Sequence, residues 1–257
     1  MKRRVLYVLG VVIFFAIVIS VPLAIILHKA PTCFDGVMNQ GETKIDRGGP
    51  CVLLDADQIT PNAVLLARSF RVRDGTYAGI AYIENPNSTA GVASVKYRMA
   101  LYDSENVLVA ERFGTTPIMP GGITPVFEGG IDTGNRLAVH TIFEFLEQPV
   151  WQRMRNVAAD VAITRDPVVD QTVMPRLNAK AENTSVADIL NLTFVAVLFD
   201  PAGNAFAASQ TALDRLNASE KKDIVFTWPS PFDTTVGRID IFPIHTPVVA
   251  PLIKAAQ

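Results

Sequence analysis

The sequence predicts an all-β protein in which two tandem antiparallel sandwiches follow a single N-terminal transmembrane helix. Three observations predict it: a 23-residue uncharged run at the start, a polar loop framed by the only two cysteines, and a pattern of alternating apolar residues that recurs at an offset of 97. The 257 residues are 49% hydrophobic, 19% charged and 8% aromatic. That composition excludes collagen-like, disordered and disulfide-dense secreted classes. A net charge of -2 argues against a nucleic-acid partner, which would call for a basic surface. The mean hydropathy of +0.26 asks for one concentrated apolar stretch.

That stretch runs from Val5 to Leu27 behind Lys2, Arg3 and Arg4, with Gly10, Ser20 and Pro22 as its only interruptions. At about 1.5 Å per residue it would span a hydrocarbon core of roughly 30 Å, so residues 5–27 are assigned to the lipid bilayer. A cleaved signal peptide would carry an apolar core of only about 7 to 15 residues and a small-residue cleavage site. Leu27-His28-Lys29-Ala30 offers none, and Pro31-Thr32 before Cys33 does not suit lipoprotein attachment. Three basic residues before the run against Lys29 after it predict a single-pass protein with residues 1–4 cytoplasmic and the bulk extracytoplasmic. Without those four, 19 basic residues face 25 acidic ones, an ordinary solvated surface.

Residues 28–51 form a polar loop. In an exported chain, Cys33 and Cys51 read as one disulfide, worth about 3 kcal/mol for a loop of this length. Between them Asp35, Asn39, Glu42 and Asp46 recur every three or four residues among Gly36, Gly41, Gly48 and Gly49. Hard oxygen donors on a glycine-bent loop make these four candidate calcium ligands, although the EF-hand spacing is absent. The stretch resembles a short cysteine-framed element of bacterial exported proteins, with Arg47 standing where the commoner form has a further cysteine. The plainer reading is a stapled polar spacer.

Residues 52–157 and 158–257 are the two copies. Val95, Tyr97, Met99 and Leu101 are matched by Leu192, Phe194, Ala196 and Leu198, each set the period-two face of a strand. Turns follow at Asp103-Ser104-Glu105-Asn106 and at Asp200-Pro201-Ala202-Gly203-Asn204, where Asp caps backbone amides and Asn or Gly takes the left-handed position. Apolar residues resume at Val107 and Ala205, which makes each unit a β-hairpin. Upstream, strands end in polar turns at Asn85 and Asn183. Downstream, Pro125-Val126-Phe127 and Ile142-Phe143-Glu144-Phe145 match Ile224-Val225-Phe226 and Ile239-Asp240-Ile241-Phe242. Short strands at this spacing predict antiparallel sandwiches. Asp214 to Asp223 has helical potential, but the repeat aligns it with a loop.

Met99-Ala100-Leu101-Tyr102-Asp103 and Ala196-Val197-Leu198-Phe199-Asp200, with the Asn85 and Asn183 turns, resemble the FxLYD family, which is related to LEA-type-2 domains. The leading Phe of the motif is Met99 in one copy and Ala196 in the other. The resemblance implies two tandem immunoglobulin-like β-sandwich domains in an extracytoplasmic setting and brings no catalytic residues.

No catalytic site is assigned, and no cofactor beyond calcium. The three histidines, His28, His140 and His245, fall in no H-E-x-x-H pattern, and no G-x-S-x-G or P-loop is present. Gly121-Gly122 and Gly129-Gly130 read as turns. Asp103 and Asp200 read as turn caps, Trp151 and Trp228 as core or junction fillers, and the sequons at Asn87, Asn183, Asn191 and Asn217 as incidental.

One asymmetry bears on partners. Opposite the core, the first hairpin strand carries Lys96, Arg98, Ala100 and Tyr102, whereas the second carries Thr193, Val195, Val197 and Phe199. An apolar outer face needs a cover. The first domain, a loop, the tail with Pro243, Pro247 and Pro251, or a protein partner would each supply one. The expected role is a non-catalytic, membrane-anchored interaction or structural protein. The alternatives are an accessory docking subunit of a secretion, pilus or transport machine and, behind it, an extracytoplasmic hydrolase.

Overall fold

The structure, a computed structural model, describes residues 2–27, 31–245 and 247–249. Its one α-helix, α1 (Lys2–Leu27), is apolar around its whole circumference, and its described side chains, those of residue 4 and residues 7–23, are exposed. The expected membrane anchor over 5–27 is corrected: among the described residues no helix is long and apolar enough to cross a membrane. The run whose side chains are described, Tyr7–Leu23, rises about 26 Å at 1.5 Å per residue, short of a hydrocarbon core of roughly 30 Å. The single-pass topology and extracytoplasmic placement built on that anchor fall with it. His28, Lys29 and Pro251 lie outside the described residues.

The strands among the other described residues are all paired antiparallel, with two short 3-10 turns at Ala56–Gln58 and Ala158–Asp160. In the N-terminal half, β1 (Ala63–Arg73), β2 (Thr76–Asn85) and β5 (Gly122–Asp132) pair in the order β1-β2-β5. Facing them, β3 (Ala90–Tyr102) is flanked on one side by β4 (Leu108–Ile118) and on the other by β6 (His140–Phe145) and β7 (Trp151–Arg155). In the C-terminal half, β8 (Val161–Arg165), β9 (Arg176–Asn183) and β12 (Lys221–Thr227) repeat the first sheet as β8-β9-β12. There β10 (Ile189–Phe199), β11 (Ala205–Leu216) and β13 (Arg238–Ile244) repeat the second as β11-β10-β13. The offset of 97 seen in the sequence therefore carries strand onto strand. One segment crosses back: β14 (Val248–Val249), near the end of the chain, pairs with β7 at Arg155 and Met154.

Alternation dictates the cores. Leu192, Phe194, Ala196 and Leu198 of β10 face Leu177, Ala179 and Ala181 of β9 and Ile224 and Phe226 of β12 in one cluster, with Trp228 at its edge. Val95, Tyr97, Met99 and Leu101 occupy the equivalent cluster with Ala81, Ile83, Val126 and Trp151. Both tryptophans are core residues. The stretch Asp214 to Asp223 is neither a helical turn nor simply a loop: the end of β11 and the start of β12 flank a tight turn in which the Glu220 amide donates to the Asn217 carbonyl at 3.1 Å.

Strands β1, β7 and β8 carry no clean period-two signal. β1 is an edge strand with irregular register at Val64/Leu66 and Arg71/Arg73, and each irregularity shifts the alternation by one residue.

Candidate functional site: the junction and the cysteine loop

The outer face of β10 is where the two halves meet. Val195, Val197 and Phe199 are buried in a third apolar cluster with Ala205 and Ala208 of β11 and with Phe70, Ile80 and Tyr82 of β1 and β2. Leu66, Ile123, Phe127, Phe242 and Ile244 close around it. Thr193 is half-buried at the rim. The cover of this face is the first half of the same chain, one of the covers the sequence leaves open. β2 and β10 consequently bury both faces, and their sequences read as near-continuous apolar runs.

Aromatic geometry fixes the contact. The Tyr82 ring meets Phe242 edge-on at 5.2 Å and Phe199 at 6.4 Å. The Arg238 guanidinium lies 3.9 Å from the centre of the Phe199 ring and pairs with Asp240 at 3.2 Å. Burial, then the charge of nearby Asp240, pushes the Tyr82 hydroxyl far above the usual tyrosine range. At the rim the Ser230 hydroxyl donates to the Val72 carbonyl at 2.6 Å. Beside that bond lies a cavity of about 170 Å³, with Phe70, Ala78, Phe206, Trp228 and Phe232 on its walls. The Phe232 ring stands edge-on to Phe206 at 5.2 Å and to Trp228 at 5.4 Å.

The equivalent outer face in the first half is mixed: Phe113 and Ile142, opposite Arg98 and Ala100, are exposed, while Arg98 is half-buried and Ala100 buried. Arg98 bridges Glu111 at 2.7 Å and Glu144 at 2.8 Å, and those carboxylates hold its guanidinium even further into the charged form. Lys96 pairs with Glu147 at 3.5 Å.

The cysteine loop is a docked element. Cys33 and Cys51 form a disulfide, with Cα atoms 5.5 Å apart. The strand-like exit of the loop joins β7: the Leu54 amide donates to the Trp151 carbonyl at 2.9 Å, and the Arg153 amide donates to the Val52 carbonyl at 2.8 Å. The Arg153 guanidinium adds a bond to the Gly49 carbonyl at 2.9 Å. Gly49 holds φ +52°, and a Cβ there would sit 2.5 Å from the Gly41 carbonyl oxygen, so glycine is required. Lys44 bridges Asp55 at 2.8 Å and Asp57 at 2.6 Å, which raises the lysine and lowers Asp55 from their ordinary values.

Asp35, Glu42 and Asp46 form no compact set of carboxylates with one another among the described residues. Asp35 accepts from the amides of Thr32 and Val37 and from the Asn39 side chain. Both Asp46 oxygens accept from the Gly36 amide at 3.2 Å. One Glu42 oxygen accepts from the amides of Asn39 and Asp46. The carboxylates serve as turn acceptors for the loop's own backbone, which explains their spacing without a metal. The one compact set of metal-ligating side chains among the described residues is Cys33, Glu42 and Cys51, all buried, with donor atoms within 4.8 Å of one another.

The histidines are apart in role: His140 opens β6 opposite Tyr102 and is exposed, while His245 is buried after β13. Asp103 and Asp200 cap their turns, accepting from the amides of Val107 at 2.9 Å and Asn204 at 2.8 Å. Those amide bonds are the main cause holding both carboxyls below the usual aspartate range.

No known protein family matches the chain, and no curated protein matches it in sequence. Among solved structures, the transglutaminase of red sea bream is similar at 8% identity and a TM-score of 0.24 over 73% of this chain. A Bacteroides uniformis beta-glucuronidase is similar at 12% identity and a TM-score of 0.20 over 68%. The chain spans 31% and 22% of those two proteins.

Proposed function

We propose that the chain is a non-catalytic structural and protein-interaction module, built of two tandem immunoglobulin-like β-sandwiches of the FxLYD or LEA-type-2 kind. The recurring strand order, the paired motifs ending in Asp103 and Asp200, and the buried Asn85 and Asn183 support the family reading. The observation that carries the functional reading is the junction. The apolar faces of the two halves are spent on one another, which leaves a two-module body whose outward sheet faces carry salt bridges beside exposed apolar residues such as Phe113 and Ile142. Such a body holds surfaces at a fixed separation and presents salt-bridged sheets to a protein partner.

The test is site-directed photo-crosslinking from Lys96 and Glu147 on one outward face and from Lys180 and Asp223 on the other. A single protein crosslinked from one face only, and lost on the charge reversal Arg98→Glu or Lys180→Glu with the fold intact, is the expected result. A hydrolytic activity of the purified chain that disappears on substituting His140 or His245 would replace this reading with an enzymatic one.

A further inference from the structure

The cysteine loop holds a buried arrangement that a turn-forming role leaves unexplained. Glu42 is 8% exposed. One of its carboxylate oxygens accepts the amides of Asn39 and Asp46, but the other lies 3.2 Å from Cys51 Sγ. That sulfur is in a disulfide and has no proton to give. Among the described residues that oxygen has no other hydrogen-bond partner, and a buried carboxylate oxygen without one is electrostatically costly.

The arrangement acquires a purpose once the disulfide opens. We propose that the reduced loop is a binding site for a thiophilic divalent cation of the Zn²⁺ type, with Cys33, Cys51 and Glu42 as its three protein ligands. A dithiol reductant supplies two electrons and two protons, breaks the Cys33–Cys51 bond and is itself oxidised to a disulfide. The cation then displaces the two thiol protons, and Glu42 enters as carboxylate. Two thiolates and a carboxylate suit Zn²⁺, at about 2.3 Å to sulfur and about 2.0–2.2 Å to oxygen, and they leave the fourth tetrahedral position to water. The starting positions are close to what is needed, because the three donor atoms already lie within 4.8 Å of one another. Opening the sulfurs to a separation of about 3.8 Å, the tetrahedral edge for such bonds, is a local movement.

The frame that would hold the site remains after reduction. Arg153 grips the Gly49 carbonyl, the Leu54 and Arg153 amide bonds tie the loop exit to β7, and Lys44 ties its middle to Asp55 and Asp57. Glu42 is pre-oriented by two backbone amides, the kind of outer support that fixes a ligand's direction. Among the residues that the sequence offers as calcium ligands, Glu42 is buried against the sulfurs, which favour soft cations over calcium.

The experiment titrates Co²⁺, a spectroscopic stand-in for Zn²⁺, into the full chain after phosphine reduction, and in parallel into the oxidised chain. The expected result is one Co²⁺ per reduced chain with thiolate charge-transfer and tetrahedral visible bands, displaced by Zn²⁺, and no such bands in the oxidised chain. Glu42→Gln should weaken binding at least about tenfold, the lower end of what outer-shell changes already cost. Cys33→Ser should abolish the charge-transfer bands. Emission from Trp151 and Trp228, both buried, reports that the body is folded in every sample. A folded, reduced chain that leaves Co²⁺ free overturns the proposal, and so does binding unaltered by Glu42→Gln.

Discussion

Two buried asparagines, Asn85 and Asn183, tie the turns of their halves together. The Asn183 amide donates to the carbonyls of Ala187, Leu216 and Asn217 at 2.7, 3.1 and 3.0 Å, and its oxygen accepts from Ser185. Asn85 does the same for Ala90 and Met119 at 2.7 and 2.9 Å, and for Asn87. Each ties the turn after one sheet to the hairpin of the other. Asn183→Ala should destabilise the chain by about 1–3 kcal/mol for each carbonyl left buried and unpaired, read as a lowered urea midpoint. Asn183→Asp should do at least as much, because a carboxylate cannot donate. The turn aspartates give a pH signature. Asp103 and Asp200 have folded pKa values below their unfolded ones, so their contribution is present above the unfolded value of about 3.9 and is lost as pH falls through the folded value. The melting temperature should therefore fall with acidification below about pH 4, and the double variant Asp103→Asn, Asp200→Asn should show a shallower fall.

At the scale of elements, β3 and β10 are the same strand in two settings. Both turn an apolar face inward, but only β10 has an apolar outer face, and only β10 is covered. Val197→Asp should place an unpaired charge in the junction and cost about 3–5 kcal/mol. Arg98→Ala, on the solvated face of β3, should cost under about 1 kcal/mol, since partly exposed ion pairs contribute little. Equal losses at the two sites, measured by denaturant unfolding, would mean that the junction does not form. The sequence makes this difference visible as Lys96 and Arg98 against Val195 and Val197. It does not say what lies over the second set, because an apolar face specifies only that something must exclude water.

For the whole molecule, the junction couples two cores that would otherwise unfold separately. One cooperative thermal transition is expected for the native chain and two for Val197→Asp, resolved by calorimetry or by hydrogen exchange in each half. The repeat itself, its hairpins, its turn caps and the disulfide were legible in the sequence because each is enforced by neighbours along the chain: alternation, an Asp before a turn, two cysteines in all. Strands β1, β7 and β8 were not, since irregular register and short length erase alternation. The role of the acidic loop residues was not legible for a related reason. The recurrence of Asp35, Asn39, Glu42 and Asp46 is equally the spacing of turn acceptors, and only their directions in space separate the two. By itself the sequence determined a duplicated all-β chain with one stapled loop, because strand period and turn chemistry are local. Which apolar face would be closed by which sheet, and that Glu42 alone would turn toward the sulfurs, was decided by the tertiary structure, because burial and ligand direction depend on residues far apart in the chain.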